Sequence, residues 1–296
     1  MTAMAVRKAL TTMVIGSDYK SMWEGLYRRS VEAYAERHDY ELVIIDAAID
    51  PRPKAGERTP HWQKCLILEH PRLRDREHVA WIDADIFANY RSGPCVVEHY
   101  LAADGGRGGI GAVPFSAGFT SAEMLDNRWH RAHRFGSGIF RRERGPTPPE
   151  RYAEAGLPAD QPDMVNTGVL VLRPDRHTAF LRDVYETGTE NRYSAMEQMW
   201  LSYRMFQEGL FTPLDPRFNK IWSEEVVQNY PFLLNTATRQ QLPIIALCVT
   251  TAWLNGYFLH FLADGLTRGD VRYIMTMFDD PSLISLEALL QRKPGA

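Results

Sequence analysis

The stretch His78-Val79-Ala80-Trp81-Ile82-Asp83-Ala84-Asp85-Ile86-Phe87 decides the fold class and points to a site. Its apolar first half, rich in residues that favour strands, predicts a buried strand. Such a strand delivers Asp83 and Asp85 into the crevice beyond its carboxyl end, where open α/β sheets bind ligands. Two carboxylates this close repel each other unless a cation joins them, and oxygen ligands suit Mg²⁺ or Mn²⁺ shared with phosphate. We interpret the pair as half of a metal–diphosphate site; the alternative is a solvated strand end.

The bulk composition is that of an ordinary globular protein. The chain has 296 residues, of which 45% are hydrophobic and 24% charged. Its net charge of −3 argues against a dedicated nucleic-acid binder. Cys65, Cys95 and Cys248 are sparse and form no CxxC motif, which indicates a reducing compartment without a disulfide framework or zinc site. No secretory signal is visible, so we expect a cytoplasmic protein.

One uncharged segment, Ile244 to Ala263, is about long enough to span a bilayer. It contains Asn255, Gly256 and His260, and polar groups are costly in lipid. We therefore expect buried core strands joined by a turn, and at most peripheral contact with a membrane.

The order of predicted elements indicates an α/β protein. Thr11 to Gly16 and Glu41 to Asp46 are predicted strands, and Ser21 to Glu36 between them has helical periodicity. Two strands bridged by a helix form a βαβ unit, which predicts a mixed, mostly parallel sheet flanked by helices. Further predicted elements are a helix at His61 to Glu69, a strand at Val165 to Leu172, helices at Thr178 to Thr187 and Met196 to Gln207, and a mixed helical cap at Val271 to Leu290.

Residues 104–164 are rich in Gly, Pro and Arg and have weak periodicity. Long irregular stretches in compact domains are often active-site lids, so we expect a lid or acceptor insert here. Its arginine-rich part, residues 128–144, is either a solvated loop or a platform for an anionic acceptor. The predicted organisation is one continuous domain with three parts: residues 1–103 ending in the Asp-X-Asp strand, the insert at 104–164, and residues 165–296 with a C-terminal cap.

Four later segments share a chemical theme. Asn166-Thr167-Gly168 opens a strand with an amide and a hydroxyl that suit sugar hydroxyls, and a glycine that lets a ligand approach the backbone. Glu197-Gln198 begins a helix, Asn219 lies in a turn, and His260 ends an apolar run. The alternatives are a turn cap for Asn166, a helix N-terminal acid for Glu197 and a satisfied core histidine for His260.

In this order the segments resemble retaining glycosyltransferases of the GT-A fold, a single Rossmann-like domain. The resemblance is to the glycogenin and lipopolysaccharide galactosyltransferase group, and to the fungal and plant α-galactosyl-, mannosyl- and xylosyltransferase group. It covers roughly Thr11 to Gly265. The shared pieces are Trp81-Ile82-Asp83-Ala84-Asp85, Asn166-Thr167-Gly168-Val169 with Arg173, Glu197-Gln198, Leu214-Asp215 with Phe218-Asn219, and His260.

The resemblance implies a metal centre and a donor site, with a nucleotide-binding half at 1–103 and a donor-sugar and acceptor half at 165–296. Asp83, Asp85 and His260 would hold Mn²⁺ or Mg²⁺. Gln198 would lie near the anomeric carbon, and Glu197 would hold donor-sugar hydroxyls. The family usually has Asp-Gln where this chain has Glu197-Gln198. The donor-binding set that it implies is Gly16, Ser17, Asp18, Lys64, Asp83, Ala84, Asn166, Thr167, Gly168 and Asn219.

One lysine and one segment show how far the resemblance extends. Lys64 resembles the lysine that these families place before the metal strand, where it would contact donor phosphate or sugar; the alternative is a solvated helix face. After Asp264-Gly265 the chain continues with Leu266-Thr267-Arg268 instead of the family's Lys-Pro-Trp, so the lysine expected on the diphosphate is missing.

The function that the resemblance implies is transfer of a hexose or pentose from a nucleotide-diphosphate sugar, UDP rather than GDP, with retention. The acceptor is unknown and could be a glycan, a lipid-linked sugar or a small molecule. The alternatives are a sugar-1-phosphate nucleotidyltransferase, a non-catalytic sugar-nucleotide-binding module, and a donor hydrolase. A nucleotidyltransferase needs a Gly-rich basic loop after the first strand, and Gly16-Ser17-Asp18-Tyr19-Lys20 is poor in glycine.

Overall fold

The computed structural model describes residues 7–52, 58–116, 147–190, 196–235, 238, 241–262 and 268–274. Within these residues, strands form two sheets, with orders β2-β1-β3-β6-β5-β7 and β4-β9-β8. The strands are β1 Lys8–Met13, β2 Glu41–Ile45, β3 His78–Ile82, β4 Ile86–Ala88, β5 Ile110–Pro114, β6 Val165–Leu172, β7 Phe211–Pro213, β8 Lys220–Ile221 and β9 Phe258–His260.

The larger sheet is mixed and mostly parallel, as predicted. β1 is parallel to both β2 and β3, which confirms the βαβ unit. β6 is antiparallel to both of its neighbours, β3 and β5, and β7 is parallel to β5. It follows that β6 alone among the described strands of this sheet runs against the others.

The larger sheet is buried on both faces, which explains the continuous apolar run of β3. Val79 and Trp81 pack into one hydrophobic cluster, whereas Ala80 and Ile82 pack into another. Alternate residues of a strand point to opposite faces, so the two clusters lie on opposite sides of the sheet. A strand covered on both sides reads as an uninterrupted hydrophobic run instead of an alternating one.

The smaller sheet begins immediately after the two aspartates. Ile86 in β4 lies opposite His260 in β9, and the two strands are antiparallel. The Phe261 backbone N–H donates a hydrogen bond of 2.9 Å to the Asp85 carbonyl oxygen. Ile221 in β8 pairs with His260 from the other side. This pairing brings the end of the chain's last described strand to the carboxyl edge of β3.

Helices pack against both the larger and the smaller sheet. They are α1 Ser17–Leu26, α2 Arg28–Arg37, α3 Val96–Asp104, α4 Pro148–Glu154, α5 Pro174–Thr187, α6 Gln198–Gln207, α7 Trp222–Asn229 and α8 Leu242–Leu254, with short 3₁₀ segments at Pro60–Glu69, Pro216–Asn219, Pro231–Leu234 and Arg268–Asp270. The single helix predicted at 21–36 is two helices that meet at Tyr27, whose φ of −113° departs from helical geometry.

The prediction of core strands at 244–263 is wrong for most of its length. Residues 244–254 lie in α8, and of the described residues 244–262 only Phe258–His260 form a strand. An uncharged apolar run carries no usable periodicity, so a buried helix and buried strands look alike in sequence. Among the described residues, no helix combines the length and hydrophobicity that crossing a bilayer requires.

The predicted insert at 104–164 starts too early. Ile110–Pro114 is a strand inside the larger sheet, paired with both β6 and β7. Gly108 and Gly109 just before this short strand, and Gly111 within it, weaken its sequence signal. The arginine-rich residues 128–144 lie outside the described residues, as do Asp264, Gly265 and all of the predicted cap after Ile274.

Candidate functional site

Asp83, Asp85 and His260 meet at the carboxyl end of β3. Each offers one ligand atom, and these atoms all lie within 4.8 Å of one another. Nε2 of His260 is 3.1 Å from Oδ1 of Asp85 and 3.9 Å from Oδ2 of Asp83. Two carboxylate oxygens and one imidazole nitrogen form a donor set that fits Mn²⁺ or Mg²⁺. The cluster could therefore hold a divalent cation.

Two of the three candidate ligands are buried, and the third is partly exposed to solvent. The Asp85 and His260 side chains are almost fully buried, whereas the Asp83 side chain is 24% exposed. Burial alone would lower the pKa of His260, but the Asp85 and Asp83 carboxylates raise it above its ordinary value. Burial alone would raise the pKa of Asp83, but Lys64 and His260 hold it below its ordinary value. Asp83 is therefore an ionised carboxylate.

A chain of hydrogen bonds sets the tautomer of His260. The Asn219 side chain faces two oxygens of Asn166: its Nδ2 lies 3.3 Å from the Asn166 backbone carbonyl oxygen and 2.8 Å from the Asn166 Oδ1. Because both of these atoms are acceptors, the Asn219 group that faces them must be the NH₂ group. Its oxygen then faces Nδ1 of His260 at 2.8 Å and accepts the Nδ1 proton. In a neutral imidazole this leaves the Nε2 lone pair directed at the carboxylates, which is how metal-ligating histidines are oriented.

Gly168 provides room for His260. A Cβ at this position would lie 2.5 Å from Cε1 and 2.8 Å from Nδ1 of His260. It would also lie 2.8 Å from Oδ1 of Asn166, which accepts the Gly168 backbone N–H. The imidazole ring therefore fills the space on the Cβ side of Gly168. That a ligand approaches the Gly168 backbone stays a prediction.

Lys64 lies behind Asp83 in a buried polar cluster. Its Nζ is 3.0 Å from Oδ1 of Asp83, 2.7 Å from Oε1 of Glu197 and 3.2 Å from Oγ1 of Thr167. Thr167 in turn donates its hydroxyl to the same Glu197 oxygen at 2.8 Å. The alternative of a solvated helix face is excluded, because seven consecutive residues from Trp62 to Leu68 are buried.

Glu197 and Gln198 begin a helix, as predicted. Glu197 is the N-cap and Gln198 the first residue of α6. Met196, just before them, has a φ of +64°, which is unusual for a residue with a side chain. Oε1 of Gln198 accepts the Thr167 backbone N–H at 3.3 Å. The helix start is thus joined to the start of β6.

Gly16, Ser17 and Asp18 lie at the same edge of the sheet. β1 and β3 are adjacent and parallel, with Thr11 opposite Trp81, so the segment after β1 and Asp83 follow neighbouring strand ends. Gly16 has a φ of +95° and precedes the first turn of α1. The side chain of Ala84, between the two aspartates, packs into the core.

Tyr19, near the carboxylates, has no distinguishing motif in the sequence. Burial, and then the carboxylates of Asp85 and Asp83, raise the pKa of Tyr19 in α1, so its hydroxyl lies in their field. The Arg268 guanidinium lies 5.7 Å from the centre of the Tyr19 ring. Trp81 Nε1 also donates a 2.8 Å hydrogen bond to Oδ1 of Asp83; two-residue spacing on a strand was the available signal for this contact.

Comparisons with known proteins agree with this architecture. No protein-family model and no curated protein sequence matches the chain. Among solved structures, the chain is similar to a glycosyltransferase involved in the glycosylation of the major capsid of PBCV-1. The TM-score is 0.53 and the identity 15%, over 90% of this chain and 99% of that one. The chain has the GT-A fold.

A second similar structure is the apo form of the WbbM bifunctional glycosyltransferase. It matches with a TM-score of 0.53 and 12% identity over 99% of this chain and 53% of that one, so the chain spans about half of WbbM. Likeness at such low identity establishes the fold.

Proposed function

We propose that this protein is a metal-dependent glycosyltransferase. It transfers a hexose or pentose from a nucleotide-diphosphate sugar, UDP rather than GDP, to the hydroxyl of a glycan, lipid-linked or small-molecule acceptor in the cytoplasm. The observation that carries the proposal is the convergence of Asp83, Asp85 and His260 at the carboxyl edge of a GT-A sheet. This edge is where open α/β sheets bind nucleotides.

The donor set fits a resident divalent cation. Asp83, Asp85 and His260 would hold Mn²⁺ or Mg²⁺, and Asn219 keeps Nε2 of His260 directed toward the carboxylates. Such a cation supplies charge neutralisation for a departing diphosphate. Carboxylate and imidazole ligands suit Mn²⁺.

Gln198 would help to position the donor sugar. Gln198 stands at the start of α6 with its amide oriented by Thr167, and we place it near the anomeric carbon. Retention, which the sequence resemblance implies, needs no strong protein nucleophile if the acceptor hydroxyl attacks from the leaving-group side and the diphosphate takes its proton. Holding donor and acceptor in this geometry can then account for several kcal/mol of the barrier.

The segment after β1 favours a transferase over a nucleotidyltransferase. It contains a single glycine, Gly16, and enters α1 at Ser17. A Gly-rich phosphate-binding loop would need several residues of open backbone before the helix. The binding-module and hydrolase alternatives are separated by the experiment that follows.

A thermal-shift panel of UDP- and GDP-sugars, each with and without Mn²⁺, tests the function. We expect one donor to stabilise the protein only when Mn²⁺ is present, by about 2.7 kcal/mol at a donor concentration 100 times Kd. Release of nucleoside diphosphate that depends on an added acceptor identifies a transferase. Release without any acceptor dependence indicates a hydrolase, and stabilisation without release indicates a binding module. Absence of any donor-dependent shift would contradict the proposal.

Replacing Asn219 with alanine is expected to weaken Mn²⁺ binding about 10- to 100-fold, because His260 loses the partner that fixes its tautomer and ring orientation. Isothermal titration of donor-free protein with Mn²⁺ measures this. Asn229→Ala is the matched control, since Asn229 makes one exposed contact with Glu225 at the end of α7. Equal Mn²⁺ affinity in the two variants would refute the role of Asn219.

A further inference from the structure

The Lys64 ammonium has no hydrogen left for a substrate. A lysine carries three N–H donors. Asp83, Glu197 and Thr167 each present an oxygen within 3.2 Å of Nζ, which uses all three. The Lys64 side chain is 4% exposed, so a donor phosphate or sugar hydroxyl would have to break one of these contacts inside the protein.

The Lys64–Glu197 ion pair is buried and hydrogen-bonded within the protein. Oε1 of Glu197 accepts from both Lys64 and Thr167, and the Glu197 side chain is 2% exposed. Buried charges persist in proteins when they are paired and hydrogen-bonded. With two carboxylates around one ammonium, Glu197 serves as the counterion that keeps Lys64 in place against Asp83.

The cluster holds one specific oxygen of Asp83. Oδ1 accepts hydrogen bonds from Lys64 at 3.0 Å and from Trp81 Nε1 at 2.8 Å. Oδ2 is the oxygen closer to the metal centre, 3.9 Å from Nε2 of His260. Two donors on one oxygen stop the carboxylate from rotating, so the other oxygen stays directed toward His260 and Asp85.

We propose that Lys64 is a positioning residue which, with Glu197 as its counterion, fixes the Asp83 carboxylate for the cation and contacts neither phosphate nor sugar of the donor. This inference rests on the proposed function, because it needs a cation at Asp83, Asp85 and His260. It reassigns Lys64 and Glu197, which the resemblance links to the donor, to the support of a metal ligand.

Binding of Mn²⁺ to the full-length, donor-free protein separates positioning from donor contact. A positioning role predicts that Lys64→Met weakens Mn²⁺ binding about 10- to 100-fold before any donor is added. It also predicts that the donor KM measured at saturating Mn²⁺ returns to within about twofold of the wild-type value. A donor-contact role predicts the reverse: unchanged Mn²⁺ affinity and a raised donor KM.

Because Lys64→Met leaves Glu197 buried without a partner, the double variant Lys64→Met/Glu197→Gln is measured beside it. The double variant removes both charges of the Lys64–Glu197 pair. It therefore tests whether Mn²⁺ binding weakens even if the single variant unfolds. Lys8→Met is the matched control, since Lys8 pairs with Glu98 at the opposite end of the sheet and we expect it to leave Mn²⁺ binding unchanged.

Each outcome of the Mn²⁺ titration decides whether Lys64 positions Asp83. Weakened Mn²⁺ binding in the double variant, with wild-type binding in Lys8→Met, supports positioning. Wild-type Mn²⁺ binding in a folded double variant overturns it while leaving the proposed function intact. A wild-type protein that binds no Mn²⁺ overturns the metal centre, and with it both the proposed function and this inference.

Discussion

Replacing Asp85 with asparagine is expected to lower the rate of donor turnover about 10³-fold, which corresponds to roughly 4 kcal/mol of lost transition-state stabilisation. The Asp85 side chain is buried and its Oδ1 lies 3.1 Å from Nε2 of His260. Asparagine keeps the shape of the side chain but removes the negative charge that a cation requires. The measurement is nucleoside-diphosphate release at saturating donor and Mn²⁺, together with Mn²⁺ titration.

The control for this substitution is Asp183→Asn. Asp183 pairs with Arg204 on the surface, and its side chain is 51% exposed. Surface ion pairs contribute little, about 0–1 kcal/mol, so turnover should stay near the wild-type value. If Asp85→Asn kept more than about a tenth of wild-type turnover, Asp85 would not be an essential ligand.

Replacing Gly168 with alanine is expected to have the second largest effect. The added methyl would approach His260 to 2.5 Å, and His260 is too buried to move aside freely. Overpacking of this kind costs about 1–3 kcal/mol of stability. Displacement of the ring also breaks its contact with Asn219, so we expect Mn²⁺ affinity to fall about 10- to 100-fold. Thermal melting and Mn²⁺ titration measure the two effects.

Gly25→Ala is the matched control for Gly168→Ala. A Cβ at Gly25 meets nothing within 4 Å, and this residue lies in α1. Alanine stabilises a helix relative to glycine by about 0.5–1 kcal/mol, so this variant should melt slightly higher and bind Mn²⁺ normally. Wild-type Mn²⁺ affinity in Gly168→Ala would show that Gly168 is not needed for His260 to ligate the metal.

Local sequence patterns predicted most of the helices and strands whose signal lies within a single segment. The apolar run of β3 is buried on both faces of the sheet, and β2, β6, α5 and α6 occur where periodicity and strand-forming residues indicated them. The first strand, predicted at Thr11 to Gly16, instead runs from Lys8 to Met13. The prediction at 244–263 is wrong because the exposed side of α8 is also apolar, with Leu247 and Leu254 exposed, so the sequence shows no polar face that distinguishes a helix from strands.

Lys64 shows why residue type alone did not assign a role. A lysine in a short helical segment is usually solvated, and the apolar neighbours from Trp62 to Leu68 were the available sign of burial. Its partners, Thr167 and Glu197, lie more than a hundred positions along the chain. No pattern within one segment records such a pairing.

The sequence by itself determined the buried strand that ends in two aspartates and the order of the polar segments that follow it, because strand burial and residue type are local properties. Only the tertiary structure decided what those groups face. Antiparallel pairing of β4 with β9 sets His260 against Asp85, and β8 brings Asn219 to the other ring nitrogen. Contacts between distant segments depend on how strands pair and helices pack, and these are properties of the assembled chain.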